Sequence, residues 1–216
     1  MKRVTLFCGH YGSGKTNLAV NYAFLLKAEG KEVSIADLDV VNPYFRTKDS
    51  EGELTAAGIE VVALPFANSS VDLPALPSRA YGLVQRRDRY VVLDIGGDDR
   101  GAYALGRFVP YILEENDFDM IYVANFYRPL TPTAQEAMEV LLEIQNACGI
   151  PFTGIVNNSN LGCETTAADV EKTLPLCREL SALSGLPILY TSVEARLADA
   201  VKGTEVFPMR LQEKLF

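Results

Sequence analysis

The chain has 216 residues, 48% of them hydrophobic, which is enough apolar material for one substantial core and sets the expectation of a single domain over residues 1–216. Lys and Arg number 20 against 28 Asp and Glu, giving a net charge of −8 and a pI near 4.8. That balance disfavours non-specific binding to nucleic acid or to an anionic membrane, both of which need a basic face.

The first element is the short apolar run Val4–Cys8, read as a strand, and it leads directly into Gly9-His10-Tyr11-Gly12-Ser13-Gly14-Lys15-Thr16. This is the pattern of Gly, four residues, then Gly-Lys-Thr. The glycines let the backbone turn so that successive N–H groups face inward at phosphate oxygens. Lys15 supplies a flexible point charge for the β- and γ-phosphates, and the Thr16 hydroxyl is placed to ligate Mg2+. A helix follows over Asn17–Ala28, with apolar positions at Leu18, Tyr22 and Leu25–Leu26, and its dipole puts partial positive charge behind the phosphates.

Further short runs rich in β-branched residues predict strands at Glu32–Ala36, Ile59–Ala63, Tyr90–Leu93, Met120–Ala124, Phe152–Val156 and Ile188–Tyr190. Helical patterns occupy Ser78–Arg87, Pro132–Cys148 and Thr166–Ser184, the last opening on a threonine suited to capping. The stretch Pro65–Pro77 reads as a surface loop. Continuous apolar strands separated by helices imply an α/β three-layer sandwich with a mostly parallel, twisted central sheet and a ligand at the carboxyl edge of its strands. The second strand ends in Ala36-Asp37-Leu38-Asp39 and the fourth in Leu93-Asp94-Ile95-Gly96-Gly97, so carboxylates arrive at the edge that holds the phosphate loop. There they can hold the waters of a Mg2+ ion or polarise an attacking water, while Gly96-Gly97 gives a backbone able to respond to a γ-phosphate.

Two loops at the same edge combine aromatic and cationic residues: Val40–Asp49, with Tyr44, Phe45, Arg46 and Lys48, and Asn125-Phe126-Tyr127-Arg128-Pro129. Either these aromatics fold back over the core or they form a surface for a partner or a small substrate. The four cysteines, Cys8, Cys148, Cys163 and Cys177, lack CxxC or CxC spacing and accompany one histidine, so a zinc or iron–sulfur site within one chain is not expected. Cys8 reads as a small core residue and Cys163 as a surface thiol. No signal peptide precedes the first strand, and a reducing, cytoplasmic setting is the expectation. The segment Val206–Phe216 is amphipathic, but its charges nearly cancel and Pro208 interrupts it, so packing against the domain is expected over membrane attachment.

Taken together, the phosphate loop, Asp37-x-Asp39, Asp94-x-x-Gly97, Gly154-Ile155-Val156-Asn157-Asn158 and Leu197-x-x-Ala200-x-x-Gly203 resemble the MinD/ParA-type P-loop ATPases across almost the whole chain. These belong to a wider group that also holds nitrogenase iron protein, the arsenite and tail-anchor ATPases, CobB and dethiobiotin synthetase. The resemblance implies that Gly9, Gly12, Ser13, Gly14, Lys15, Thr16 and Asn17 hold ATP, with Mg2+ on Thr16 and in reach of Asp37 and Asp94. It makes Asp39 the residue that orients hydrolytic water and puts Asn157 on the adenine edge; Asn157 also reads as a plain strand-end turn residue. It further implies slow turnover and a nucleotide-dependent homodimer that engages a protein partner. One position departs: His10 stands where the group carries a second lysine that reaches across the dimer. Arg46, Lys48, Arg100 and Arg128 are the cations available at this edge to replace it. The alternatives to a switch are an ATP-dependent small-molecule enzyme of the dethiobiotin-synthetase kind and a metallocentre-assembly ATPase, the latter weakened by the missing CxC. The absence of an Asn-Lys-x-Asp segment favours ATP over GTP.

Overall fold

Alternation along each strand decides which face of the sheet every side chain joins. The computed structural model describes residues 1–38, 50–63, 78–96, 105–106 and 108–211. Its strands are β1 (Val4–Cys8), β2 (Val33–Leu38), β3 (Glu60–Ala63), β4 (Tyr90–Ile95), β5 (Phe118–Ala124), β6 (Gly154–Asn157), β7 (Ile188–Glu194) and β8 (Val206–Met209). They form one sheet in the order β3-β2-β4-β1-β5-β6-β7-β8, and each pairing among them is parallel. Parallel neighbours require crossover connections, and the helices supply them. These are α1 (Lys15–Ala28), α2 (Glu51–Ala56), α3 (Ser78–Gln85), α4 (Val109–Glu115), α5 (Ala134–Cys148) and α6 (Ala167–Ser184).

Val4, Leu6 and Cys8 of β1, Leu93 and Ile95 of β4, and Met120 and Tyr122 of β5 join one buried cluster with Ile112 of α4, Leu141 of α5 and Leu180 of α6. The intervening residues Phe7, Val92, Ile121 and Val123 join a second cluster on the opposite face, with Leu18, Tyr22 and Leu26 of α1 and Leu54 of α2. Two apolar layers therefore sandwich the sheet, as expected. The Cys8 thiol belongs to the first layer, where a hydrogen bond with Cys148 and burial push it well above the usual thiol range. Cys163 is exposed.

Several boundaries differ from the sequence reading for physical reasons. β2 and β4 run on to Leu38 and Ile95, so Asp37 and Asp94 sit inside the strands and inherit their alternation. α2 and α4 are too short to show a periodic apolar stripe. The tail begins as β8, an edge strand on β7, where Pro208 is tolerated because its missing N–H need not pair outward. Beyond β8, Asn21 of α1 clamps Arg210: Asn21 Nδ2 donates to Arg210 O at 2.9 Å and Arg210 N donates to Asn21 Oδ1 at 2.8 Å. The segment is thus docked on the domain through Arg210, while 212–216 lie outside the described residues. α6 has its expected threonine cap: Asp169 N donates to Thr166 Oγ1 at 3.3 Å and Thr166 N to Asp169 Oδ2 at 3.0 Å. Asp39, the loop 40–49, the stretch 65–77, Gly97 and Arg100 also lie outside the described residues.

Candidate phosphate site

β1 is flanked by β4 and β5, so the chain's connections diverge on either side of its carboxyl end. A crevice at that point is where an open α/β sheet binds ligands. The loop 9–14 lies there. Its first glycine packs against β5, since a Cβ on Gly9 would lie 2.5 Å from Val123 O. Gly12 (φ +76°) and Gly14 (φ +87°) take the left-handed conformation that only glycine adopts without strain. A Cβ on Gly14 would also meet Asn158 Nδ2 at 2.3 Å.

Two side chains from the loops that follow β5 and β6 hold the loop's carbonyls. Asn158 Nδ2 donates to Ser13 O at 2.6 Å, and Ser192 Oγ fixes that amide by donating to Asn158 Oδ1 at 2.8 Å. Arg128 Nε donates to Gly12 O at 2.7 Å. Because the peptide is planar and trans, a Ser13 carbonyl turned toward Asn158 sends the Gly14 N–H the opposite way. Gly14 caps α1 without a side-chain hydrogen bond, which leaves the helix start to main-chain groups of the loop. Lys15 and Thr16 are the first helical residues and are 4% and 5% exposed. Ser13 Oγ is buried and has no hydrogen-bond partner among the described residues.

The two described carboxylates share the face that α1 covers. Asp37 and Asp94 are register partners on adjacent strands, and Asp94 is also the partner of Phe7. Each lies two residues beyond a member of the α1-side cluster, Ile35 and Val92. Asp94 is fully buried and Asp37 half-buried.

The remaining sequence candidates are placed as follows. Asn17 accepts from Asn21 Nδ2 through its own carbonyl at 2.8 Å and so joins the clamp on Arg210. His10 is half-buried, with Nδ1 2.9 Å from Tyr11 O. Asn157 is fully buried on the α6 face: Nδ2 donates to Thr173 Oγ1 at 2.9 Å, and Oδ1 accepts from Ser159 N at 3.2 Å and Ser159 Oγ at 2.6 Å. Its neighbour Asn158 is the residue that reaches the loop. Parity along β6 carries the signal, because Ile155 joins the α5–α6 layer and Val156 the α1 layer. Residue 157 then falls on the first face and residue 158 on the second. Among the described residues no group of three or more His, Cys, Asp or Glu is placed to hold a metal ion by itself. Mg2+ binds through one or two carboxylates plus phosphate oxygens and needs no such cage.

Gly14→Ala is expected to cost about 1–2 kcal/mol from the left-handed conformation alone. The collision with Asn158 adds to that, and freeing Ser13 O from its tie loosens the loop. A lowered urea midpoint together with weakened nucleotide binding would show both; unchanged values would mean that the loop tolerates a side chain here.

No family model and no curated protein matches this chain. Solved structures do. The cell division protein FtsY of Thermotoga maritima has a TM-score of 0.55 at 18% identity, over 89% of this chain and 62% of that one. The signal recognition particle receptor FtsY of Elizabethkingia anophelis gives 0.55 at 20% identity, over 88% and 58%. The signal recognition particle 54 kDa protein of Aeropyrum pernix K1, solved in complex with GDP, gives 0.55 at 16% identity, over 88% and 41%. This chain spans less than two thirds of the length of each of these proteins. At such identities the likeness shows the fold alone: an all-parallel, twisted α/β sheet with helices. It does not single out the MinD/ParA type. No helix among the described residues is long and apolar enough to cross a membrane.

Proposed function

We propose that this chain is a single nucleotide-binding domain that binds ATP with Mg2+ and hydrolyses it slowly, as a switch read by a protein partner. The observation that carries this reading is the loop 9–14: its carbonyls at Gly12 and Ser13 are held by Arg128 and Asn158, and it opens α1 on the face that holds Asp37 and Asp94. A loop packed so closely that a Cβ at position 14 would collide with Asn158, with a buried Ser13 hydroxyl lacking a partner among the described residues, fits a phosphate chain. Gly12, Ser13, Gly14, Lys15 and Thr16 hold the phosphates. Thr16 is the Mg2+ ligand, with Asp37 and Asp94 on the ion's waters. A Mg2+ ion held by these residues would supply positive charge that offsets that of the phosphates. Asp39 follows β2 directly and orients the water that attacks the γ-phosphorus as the bond to the bridging oxygen breaks, giving ADP and phosphate. Lys15 and the loop N–H groups stabilise the charge that spreads on the transferring group.

Adenine is preferred on chemical grounds. Guanine presents an N–H and an NH2 side by side, which call for a carboxylate, and Asn157-Asn158-Ser159-Asn160-Leu161 offers none. The MinD/ParA-type assignment rests on the motifs of the sequence, and the switch reading agrees with a P-loop fold. Tyr11, Leu130 and Leu161 are exposed on the loops that follow β1, β5 and β6, which suits a contact surface beside the nucleotide, including one in a nucleotide-dependent homodimer. Calorimetric titration with non-hydrolysable ATP and GTP analogues, with and without Mg2+, tests the reading. Saturable, Mg2+-dependent ATP binding tighter than GTP binding is expected. Tighter GTP binding would overturn the base assignment, and binding of neither nucleotide would overturn the site.

A further inference from the structure

The geometry points to a second cation in the phosphate site: we propose that Arg128 reaches the terminal phosphate from the rim of the loop, within the same chain, and is the group that tells triphosphate from diphosphate. This rests on the nucleotide reading above.

The turn that carries Arg128 is fastened at every step. Arg128 N donates to Asn125 O at 3.2 Å, and Thr131 N donates to Arg128 O at 3.1 Å. Thr131 Oγ1 donates to Asn125 O at 2.8 Å, and Tyr127 N to Asn125 Oδ1 at 3.1 Å. From outside the turn, Ser159 Oγ accepts from Phe126 N at 3.0 Å and Asp169 O accepts from Tyr127 OH at 2.8 Å. Pro129 removes further backbone freedom. Since β5 is the neighbour of β1, this rigid turn stands directly beside the phosphate loop.

The side chain lies against Gly12: Cδ and Nε are 3.5 Å, and Cζ 3.9 Å, from the place a Cβ would occupy there. Only Nε has a protein partner among the described residues, the Gly12 carbonyl, and Arg128 forms no ion pair among them. The neighbouring carbonyl, Ser13 O, is held equally well by the neutral amide of Asn158. Holding a carbonyl therefore needs neither a charge nor the N–H groups of Nη1 and Nη2. Those groups form a planar fork suited to phosphate oxygens. The same turn holds a second unused donor. Asn125 is 1% exposed, and its Nδ2 has no hydrogen-bond partner among the described residues. It continues the parity of Ile121 and Val123, toward the α1 face where the loop lies. A buried donor left this way calls for a ligand.

Titrating the wild type, Arg128→Lys and Arg128→Gln with ADP and with a non-hydrolysable ATP analogue, in Mg2+, separates the roles. Lys keeps the charge, and Gln keeps a neutral donor for Gly12 O. Arg128→Gln is expected to lose about 10- to 150-fold in affinity for the triphosphate, the worth of a hydrogen bond to a charged group. Its ADP affinity should stay within about threefold, below 1 kcal/mol, and Arg128→Lys should recover most of the loss. Thermal melts of the ligand-free variants should match. The proposal is overturned if Arg128→Gln behaves as wild type, or if both nucleotides weaken equally, which would make Arg128 a fastening for the loop alone. A wild type that binds neither nucleotide overturns the underlying reading instead.

Discussion

Lys15→Ala is expected to weaken binding of Mg2+-ATP by about 30-fold or more, with far-ultraviolet circular dichroism unchanged. Lys15 opens α1 and is 4% exposed, so its ammonium acts where water is largely excluded. Truncating one partner of a buried, hydrogen-bonded charge pair costs about 2–5 kcal/mol, and 2 kcal/mol is already about 30-fold in affinity. Alanine is the best helix former, so the start of α1 loses nothing in backbone preference. The glycine conformations at 12 and 14 and the ties from Asn158 and Arg128 do not depend on the lysine side chain, which keeps the effect confined to charge. ADP should be affected less than ATP, because the ammonium is assigned to the β- and γ-phosphates. An affinity that does not change in calorimetry would remove Lys15, and with it the loop, from the nucleotide site.

The strongest parts of this architecture are those where a local rule and a long-range requirement coincide. Gly12, Gly14 and Lys15 are readable because phosphate binding demands particular residue types at fixed offsets, and the backbone angles at both glycines agree. The parallel sheet is readable because strands buried on both faces need continuous apolar runs. Asp37 and Asp94 could be named from sequence, but their shared face could not. That depends on where β2 and β4 stop and on their register, a pairing between residues far apart in the chain. Asn157 and Asn158 show the converse. Counting parity from Ile155 and Val156 puts the two on opposite faces of the sheet, yet the count means nothing until the layer under each face is known. β8 was hidden by Pro208, which speaks against a strand unless that strand lies at an edge. The fastening of the turn 125–131 was also illegible, since Ser159 and Asp169 come from separate elements. Asp39 keeps its role on sequence grounds only.

Arg3→Ala is expected to lower stability by about 3–5 kcal/mol in urea unfolding while leaving nucleotide affinity unchanged. Arg3 precedes β1 at the amino edge of the sheet, the opposite end from the phosphate loop. Its side chain and that of Glu115 are 8% and 12% exposed, and its Nε and Nη2 both donate to the Glu115 carboxylate. The same guanidinium donates to Val84 O at 2.7 Å and to Arg86 O at 2.9 Å, joining the end of α3 to the end of α4. Breaking a buried pair by removing one partner costs more than the pair itself is worth, because the other charge stays buried and uncompensated; about 3–5 kcal/mol is the usual size. Here three carbonyls, those of Val84, Arg86 and Arg89, lose a donor as well, each a further penalty. The double variant Arg3→Met with Glu115→Leu should recover a large share of the loss by removing both charges and filling the space with apolar atoms. Non-additivity of that kind is the signature of a directly coupled pair. A single-variant loss below about 1 kcal/mol, the range of exposed ion pairs, would mean that water reaches this pair and that α3 and α4 are held by their apolar contacts alone.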